Sequence, residues 1–343
     1  MALLNAKAYD SFLEFELDTL SHLDAPASFV LNKDFNTYKK EITKADQIYA
    51  ARILKNNQAT ISNIKQILEE EGMPSELLYL AMVESTFNPQ SKSSVKAIGI
   101  WQFMAPTAKK LGLSIDSYID ERKDPVRSTK AAVKYLKQLK GEFGKWYLAI
   151  MAYNCGNGKL RKAIKEAGSD DLSVLLDEEA KYIPLETRRF FKKIVVMALL
   201  SNNKDYLLKE HEYLLNYASL NDLQKVYVRP KQSVKEIAKS YGLTYDEFKK
   251  YNPHYKSIYT PPYGYDAYIP KEKIAKKVNK NQKTQNNSVS LKNKGSSDFV
   301  HIIKKGDTLT KISKMYDCSI ESIQAKNNLT SSYIREGQKL IIP

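Results

Sequence analysis

Apolar residues recur at helical spacing through the first two thirds of the chain. Ile42, Ala45, Ile48, Tyr49 and Ile53 mark one such face, and Ile61, Ile64, Ile67 and Leu68 mark a second. Gly72 stops the second helix, and Pro74 suits the first turn of a third, "PSELLYLAMVES", whose apolar run predicts burial. Asn88-Pro89 bars its continuation, because the residue before proline is pushed out of the helical region. Further helices are predicted over Thr107–Leu111, Ser128–Lys140, Trp146–Tyr153, Lys159–Ala167 and Glu186–Ser201, with no strand signal between them. The first forty residues are amphipathic but less regular. They predict an N-terminal helical wrap over 1–45, ahead of a helical domain over 46–220.

After Leu220 the pattern changes to short β runs around pairs of short helices. Ser233-Val234 corresponds to Thr308-Leu309, Ile237 to Ile312, Tyr241 to Tyr316, Phe248 to Ile323 and Asn252 to Asn327, always 75 residues on (308 − 233 = 75). This internal repeat reads strand–helix–helix–strand, with copies over 226–270 and 299–343. Residues 271–298 are rich in Lys, Asn and Ser with almost nothing apolar, and predict a flexible basic linker. The fold class expected is a mainly α domain followed by small α+β (βααβ) domains.

The chain has 343 residues, 43% of them hydrophobic, and a net charge of +15. That surface favours a polyanion: nucleic acid, anionic lipid or an acidic wall polymer. The zinc-finger spacing, zipper heptad and aromatic–Gly strand motif of nucleic-acid readers are absent, which argues against nucleic acid. Cys155 and Cys318 lie in separate predicted domains and read as small thiols, not a disulfide. His22, His211, His254 and His301 are scattered without ligand spacing, so neither metal nor cofactor is expected. No apolar run reaches the roughly 18 residues a membrane span needs, and no signal peptide is visible; a lipid anchor on a longer precursor is left open.

One stretch stands out. In "AMVESTFNPQSKSSVKAIGIWQ", Glu84 is the only acidic residue, and none follows until Asp116. Glu84 falls in the last turn of its predicted helix, where the negative end of the dipole disfavours ionisation. Burial among Leu80, Val83, Phe87 and Trp101 would disfavour it further. A carboxyl group kept neutral is what a general acid needs. By placement alone, an idle, exposed Glu ending a helix is the plainer reading.

The surrounding motifs change that balance. Glu84-Ser85 with Asn88-Pro89, then Gly99-Ile100-Trp101-Gln102-Phe103-Met104, then Ala152-Tyr153-Asn154 with Gly156 and Gly158, then "YIPLETRRFFKKIVVMAL", occur in order. Together they resemble the goose-lysozyme-like (SLT) lytic transglycosylases, most closely the membrane-bound lytic murein transglycosylase D family. Cys155 stands where that family usually has Ala, and Phe190 where Tyr is common. The second repeat copy resembles the LysM module, which binds N-acetylglucosamine-containing polymers. The first departs from it, with Lys231-Gln232 in place of Gly306-Asp307 and a Tyr/Pro-rich stretch before its last strand.

The resemblance implies a lysozyme-like groove that cleaves peptidoglycan between N-acetylmuramic acid and N-acetylglucosamine, with the periplasm or cell envelope as its location. Glu84 would protonate the glycosidic oxygen, then accept the proton of the muramyl 6-hydroxyl as a 1,6-anhydro ring closes. Most glycosidases use two carboxyl groups about 5 to 9.5 Å apart; here one would serve twice. Ser93, Gln102, Met104, Tyr153 and Glu186 are the implied substrate-binding residues, and Gly306, Asp307, Thr308, Leu309, Asn327 and Asn328 the LysM glycan-binding ones. Two rivals stay open: a hydrolytic muramidase in which Asp116, Asp120, Glu121 or Asp124 places a water, and a non-catalytic wall-binding protein.

Overall fold

The computed structural model describes residues 13–202, 223–277 and 299–342, apart from 304–306, 317, 328 and 330. The N-terminal two thirds are helical: α1 (13–22), α2 (Lys33–Lys40), α3 (Lys44–Asn56), α4 (Gln58–Glu70), α5 (Leu78–Ser85), α6 (Ala105–Lys110), α7 (Pro125–Phe143), α8 (Trp146–Cys155), α9 (Asn157–Ala167), α10 (Leu172–Leu175) and α11 (Leu185–Asn202). At the centre is α8, whose residues Tyr147–Ala152 are all buried. It lies against α7, α9 and α11, and α5 is wedged between α4 and α11. Leu20, Leu23, Phe29 and Phe35 from the N-terminal segment are fully buried in the same core.

Helix limits follow local chemistry. The Asp124 side chain accepts from Val126 N and Arg127 N, and Pro125 takes the first helical position, so α7 begins three residues before the predicted Ser128. Gly144, in the left-handed conformation, ends it. Pro74 precedes a short 3-10 turn, Ser75–Leu77, instead of sitting inside α5. Asn88-Pro89 is not what stops α5: Thr86 and Phe87 adopt φ of 54° and 60° and turn the chain first.

The two repeat copies each hold an antiparallel strand pair around two helices. β1 (Leu223–Val228) pairs with β2 (Tyr265–Pro270), and β3 (Phe299–Ile302) with β4 (Lys339–Ile342). Each copy has its own apolar core. Asn252 and Asn327 play the same part: each donates to a carbonyl of the preceding helix and to one in the last strand, and accepts from that strand's N–H.

The predicted linker is partly structured. Residues 271–277 form a helix whose Ile274 joins the first repeat's core, with the Lys277 ammonium 3.7 Å from the Tyr241 ring centroid. Residues 278–298 lie outside the described set.

Candidate active site

Glu84 projects from the last turn of α5, a helix buried at six of its eight positions. Ser85 staples that helix end by donating from Oγ to Ile100 O at 2.7 Å. The segment after it folds back three times. Lys92 bridges Ile98 and Ile98 bridges Phe103, both antiparallel, a small strand-like element that helical periodicity could not reveal. Gly99 sits at φ +87° with its Cα against the Arg122 carbonyl, and a Cβ there would overlap that oxygen. Four of the seven non-glycine residues with positive φ among the described residues, Thr86, Phe87, Lys96 and Gln102, lie in this one segment. Backbone strain concentrated in this way marks functional loops.

Each predicted substrate-binding residue has a definite place. Ser93 Oγ accepts from Ala97 N at 3.0 Å, closing a tight turn and leaving its hydroxyl proton free to donate. Gln102 turns its amide nitrogen into the loop, donating to Gly99 O at 2.7 Å and Ser91 O at 3.4 Å. Its Oε1 has no partner among the described residues. Tyr153, from the C-terminal half of α8, donates from its hydroxyl to Trp101 O at 2.6 Å. Its ring leans on Phe103 and Tyr135, with centroids 6.0 and 5.5 Å away. Met104 is exposed at the start of α6. Glu186 is exposed in the first turn of α11. That helix is latched to α8 by the buried Thr187, which donates to Asn154 Oδ1 at 2.6 Å.

Electrostatics singles out Glu84. Burial, then the charge of Glu186, pushes its pKa from the ordinary carboxyl range up to about 8. The Tyr153 hydroxyl is held well above its usual value by burial and by Glu84. At neutral pH the Glu84 carboxyl is therefore held protonated, beside the neutral Tyr153 hydroxyl and the charge of Glu186.

The acidic residues considered for water placement are engaged elsewhere. Asp120 is 3% exposed and forms a two-pronged ion pair with Arg122, at 2.9 and 2.8 Å. Glu121 takes the Tyr265 hydroxyl and Arg127, Asp124 caps α7, and Asp116 accepts from Tyr118 N, Ile119 N and the Tyr263 hydroxyl. Arg122 was not singled out from sequence, yet its Nη1 donates to Phe103 O at 3.2 Å and so holds the Gln102 loop from behind. The dense charge alternation Asp120-Glu121-Arg122-Lys123-Asp124 just before a proline-initiated helix was the available signal.

In the second repeat, Asp307 Oδ2 lies 2.9 Å from His301 Nε2 and Thr308 is exposed. Two of the predicted glycan contacts face inward. Leu309 is 2% exposed in the repeat's core, and Asn327 spends both N–H groups and its oxygen on backbone. Gly306 and Asn328 lie outside the described residues.

Residues 62–175 match the family described as "Transglycosylase SLT domain", and residues 301–343 match "LysM domain". Residues 222–286 match "Lytic transglycosylase MltD, LysM-like domain". The chain carries an SLT domain followed by two LysM-type domains. It is 28% identical over 282 residues to the membrane-bound lytic murein transglycosylase D of Escherichia coli (strain K12), covering 80% of this chain and 61% of that protein. It thus spans about three fifths of the length of that relative. Over 116 residues it is 37% identical to the peptidoglycan transglycosylase gp16 of Escherichia phage T7, covering 33% of this chain and 9% of that one. The solved soluble lytic transglycosylase SLT70 of Escherichia coli superposes with a TM-score of 0.38 at 22% identity, over 52% of this chain and 35% of that one. Glu84, Ser93, Gln102, Met104 and Tyr153 fall inside the SLT match, and Glu186 beyond it.

Proposed function

We propose that this protein is a peptidoglycan lytic transglycosylase of the cell envelope, acting on the periplasmic side, with the second repeat gripping glycan. The observation that carries the reading is Glu84: one carboxyl group, kept protonated at neutral pH, inside the SLT match. Glu84 gives its proton to the oxygen joining C1 of N-acetylmuramic acid to the next N-acetylglucosamine, and the C1–O bond breaks. The substrate's own 2-acetamido oxygen meets the positive charge at C1. Glu84, now a carboxylate, takes the proton of the muramyl 6-hydroxyl, whose oxygen bonds to C1. The proton ledger closes on one residue and no water is consumed. Gln102 Oε1 and the Ser93 hydroxyl orient the acetamido groups, Tyr153 contacts the sugar beside Glu84, and Met104 walls the groove.

The hydrolytic alternative needs a second carboxylate to activate water. Asp120, Glu121 and Asp124 are buried and paired, which weighs against it. Mass spectrometry of muropeptides released from purified sacculi separates the readings. Wild type yields 1,6-anhydromuramyl ends and Glu84→Gln yields none. Products with only reducing ends point to hydrolysis, and sacculi bound but left intact point to a non-catalytic wall binder.

A further inference from the structure

The two repeats share a fold but differ at the loops where the second presents Asp307 and Thr308. In the first, the loop after β1 and the loop before β2 are bonded to each other. Gln232 N donates to Thr260 Oγ1 at 2.8 Å and Thr260 N to Gln232 O at 2.9 Å. Thr260 Oγ1 donates to Arg229 O at 2.6 Å, and Val234 N to Ile258 O at 2.8 Å. Gln232 is the counterpart of Asp307 (307 − 232 = 75). These bonds tie the two loops of the first repeat directly to each other.

The other face of the first repeat is docked on the helical lobe just before α7. Ile119 of the lobe is fully buried in the repeat's own core and bridges Tyr255. Asp120 N donates to His254 O at 2.9 Å and Lys256 N to Tyr118 O at 2.7 Å. The Tyr265 hydroxyl donates to Glu121, the Tyr268 hydroxyl to Asp124 at 3.2 Å, and Arg127 to Asp266 at 2.9 Å. A module tethered only to reach the wall has no use for a seam of this kind.

The seam leads to the active site. Asp120, held by His254 through its backbone, grips Arg122 with its carboxylate. Arg122 holds Phe103 O with its guanidinium, and its own carbonyl lies against Gly99. Gly99 and Phe103 bracket Trp101, whose carbonyl receives the Tyr153 hydroxyl, and Gln102. We propose that the first repeat is a buttress of the active-site loop and not a wall anchor, with Arg122 as the positioning residue that transmits its support. The assignment rests on the function proposed above.

The test uses the full chain and three kinds of variant. Tyr265→Phe with Tyr268→Phe loosens the seam, Arg122→Lys and Arg122→Gln loosen the grip on the loop, and Tyr259→Ala alters the exposed lip of the first repeat's closed loops. Release of anhydromuropeptides gives kcat and KM; co-sedimentation with sacculi on a Glu84→Gln background gives binding. Seam and Arg122→Gln variants lose about tenfold to a hundredfold in kcat, the cost of a misplaced catalytic geometry. Their KM and sacculus binding hold, and Arg122→Lys recovers part of kcat. Tyr259→Ala leaves sacculus binding unchanged. The buttress role is overturned by folded seam variants with wild-type kcat, or by loss of sacculus binding in Tyr259→Ala. The second arm needs no turnover and no seam variant. It tests the exclusion of a wall anchor even where seam variants fail to fold, or where the wild type releases no anhydro product and the proposed function itself fails.

Discussion

At the residue scale, the proposed activity depends on how a carboxyl group is kept from ionising. Burial is the larger cause of the raised pKa of Glu84, and Glu186 adds to it by repulsion. In the proposed mechanism the acid form is the working form, so activity should fall as pH rises through about 8. Replacing Glu186 with Gln removes the repulsion and leaves the burial. The Glu84 pKa then drops, though not to the free value, and the basic limb of the kcat profile moves toward lower pH. An unmoved limb in Glu186→Gln would mean that the two carboxyl groups do not sense each other. The same shift has a stability consequence of fixed sign. A carboxyl whose pKa is raised by folding costs nothing below its unfolded value and becomes destabilising as pH climbs above it. Glu84→Gln is therefore more resistant to urea than wild type at pH 8 and equal to it at pH 4. Gly99 is the other residue with a sharp expectation. Gly99→Ala forces a Cβ into the Arg122 carbonyl at a φ that disfavours side chains, and should cost about 2–4 kcal/mol in denaturant midpoints.

At the element scale, what periodicity encodes is recovered and what tertiary contact decides is not. The helices from α3 to α9 and α11 follow from apolar spacing, because each buries one stripe or, like α8, nearly all of its surface, whereas the single turn of α10 is too short to show a period. The active-site segment between Thr86 and Phe103 has no period. Its turns are fixed by Gly99 against Arg122, by the Ser85 and Gln102 side chains and by the burial of Phe87, contacts that reach across 15 or more residues in several cases. The first repeat's docking was illegible for the same reason: Tyr265, Tyr268 and His254 read as aromatic residues of a small domain until Glu121 and Asp124 are brought to them. The 75-residue offset did carry structural information, and Asn252 and Asn327 prove to be its clearest case. Both are staples between helix and strand, and Asn327 spends both N–H groups and one bond of its oxygen on backbone. Asn252→Ala removes the acceptor of the Tyr268 N–H and the side-chain donor to the Phe248 and Tyr268 carbonyls, and should cost about 1–3 kcal/mol, read as a lower melting temperature of the unit that the first repeat shares with the lobe.

At the scale of the whole molecule, three apolar cores among the described residues set what is lost together and what apart. The first repeat's core contains Ile119 of the lobe, so those two units share their stability, whereas among the described residues the second repeat's core lies between Ile303 and Ile342 and meets the first repeat at the Tyr316–Tyr227 ring pair, centroids 6.1 Å apart. A charge placed in that third core tests the division of labour. Leu309 is 2% exposed, and Leu309→Glu buries a carboxylate without a partner, a cost the small core cannot meet. The second repeat unfolds, and the lobe with its docked first repeat melts as before. If the second repeat supplies the grip on glycan, retention on sacculi drops, and so does turnover of sacculi at low enzyme concentration, because the effective substrate concentration provided by tethering is gone. Turnover of short soluble glycan chains is unchanged, since tethering adds nothing to a freely diffusing substrate. The residual attraction between a surface of net charge +15 and an anionic wall remains in the variant and weakens with salt, over a screening length of about 8 Å at physiological ionic strength. Retention of Leu309→Glu that equals wild type at low salt and falls far below it at high salt would separate the two contributions. Equal retention at every salt concentration would instead remove the second repeat from wall binding altogether.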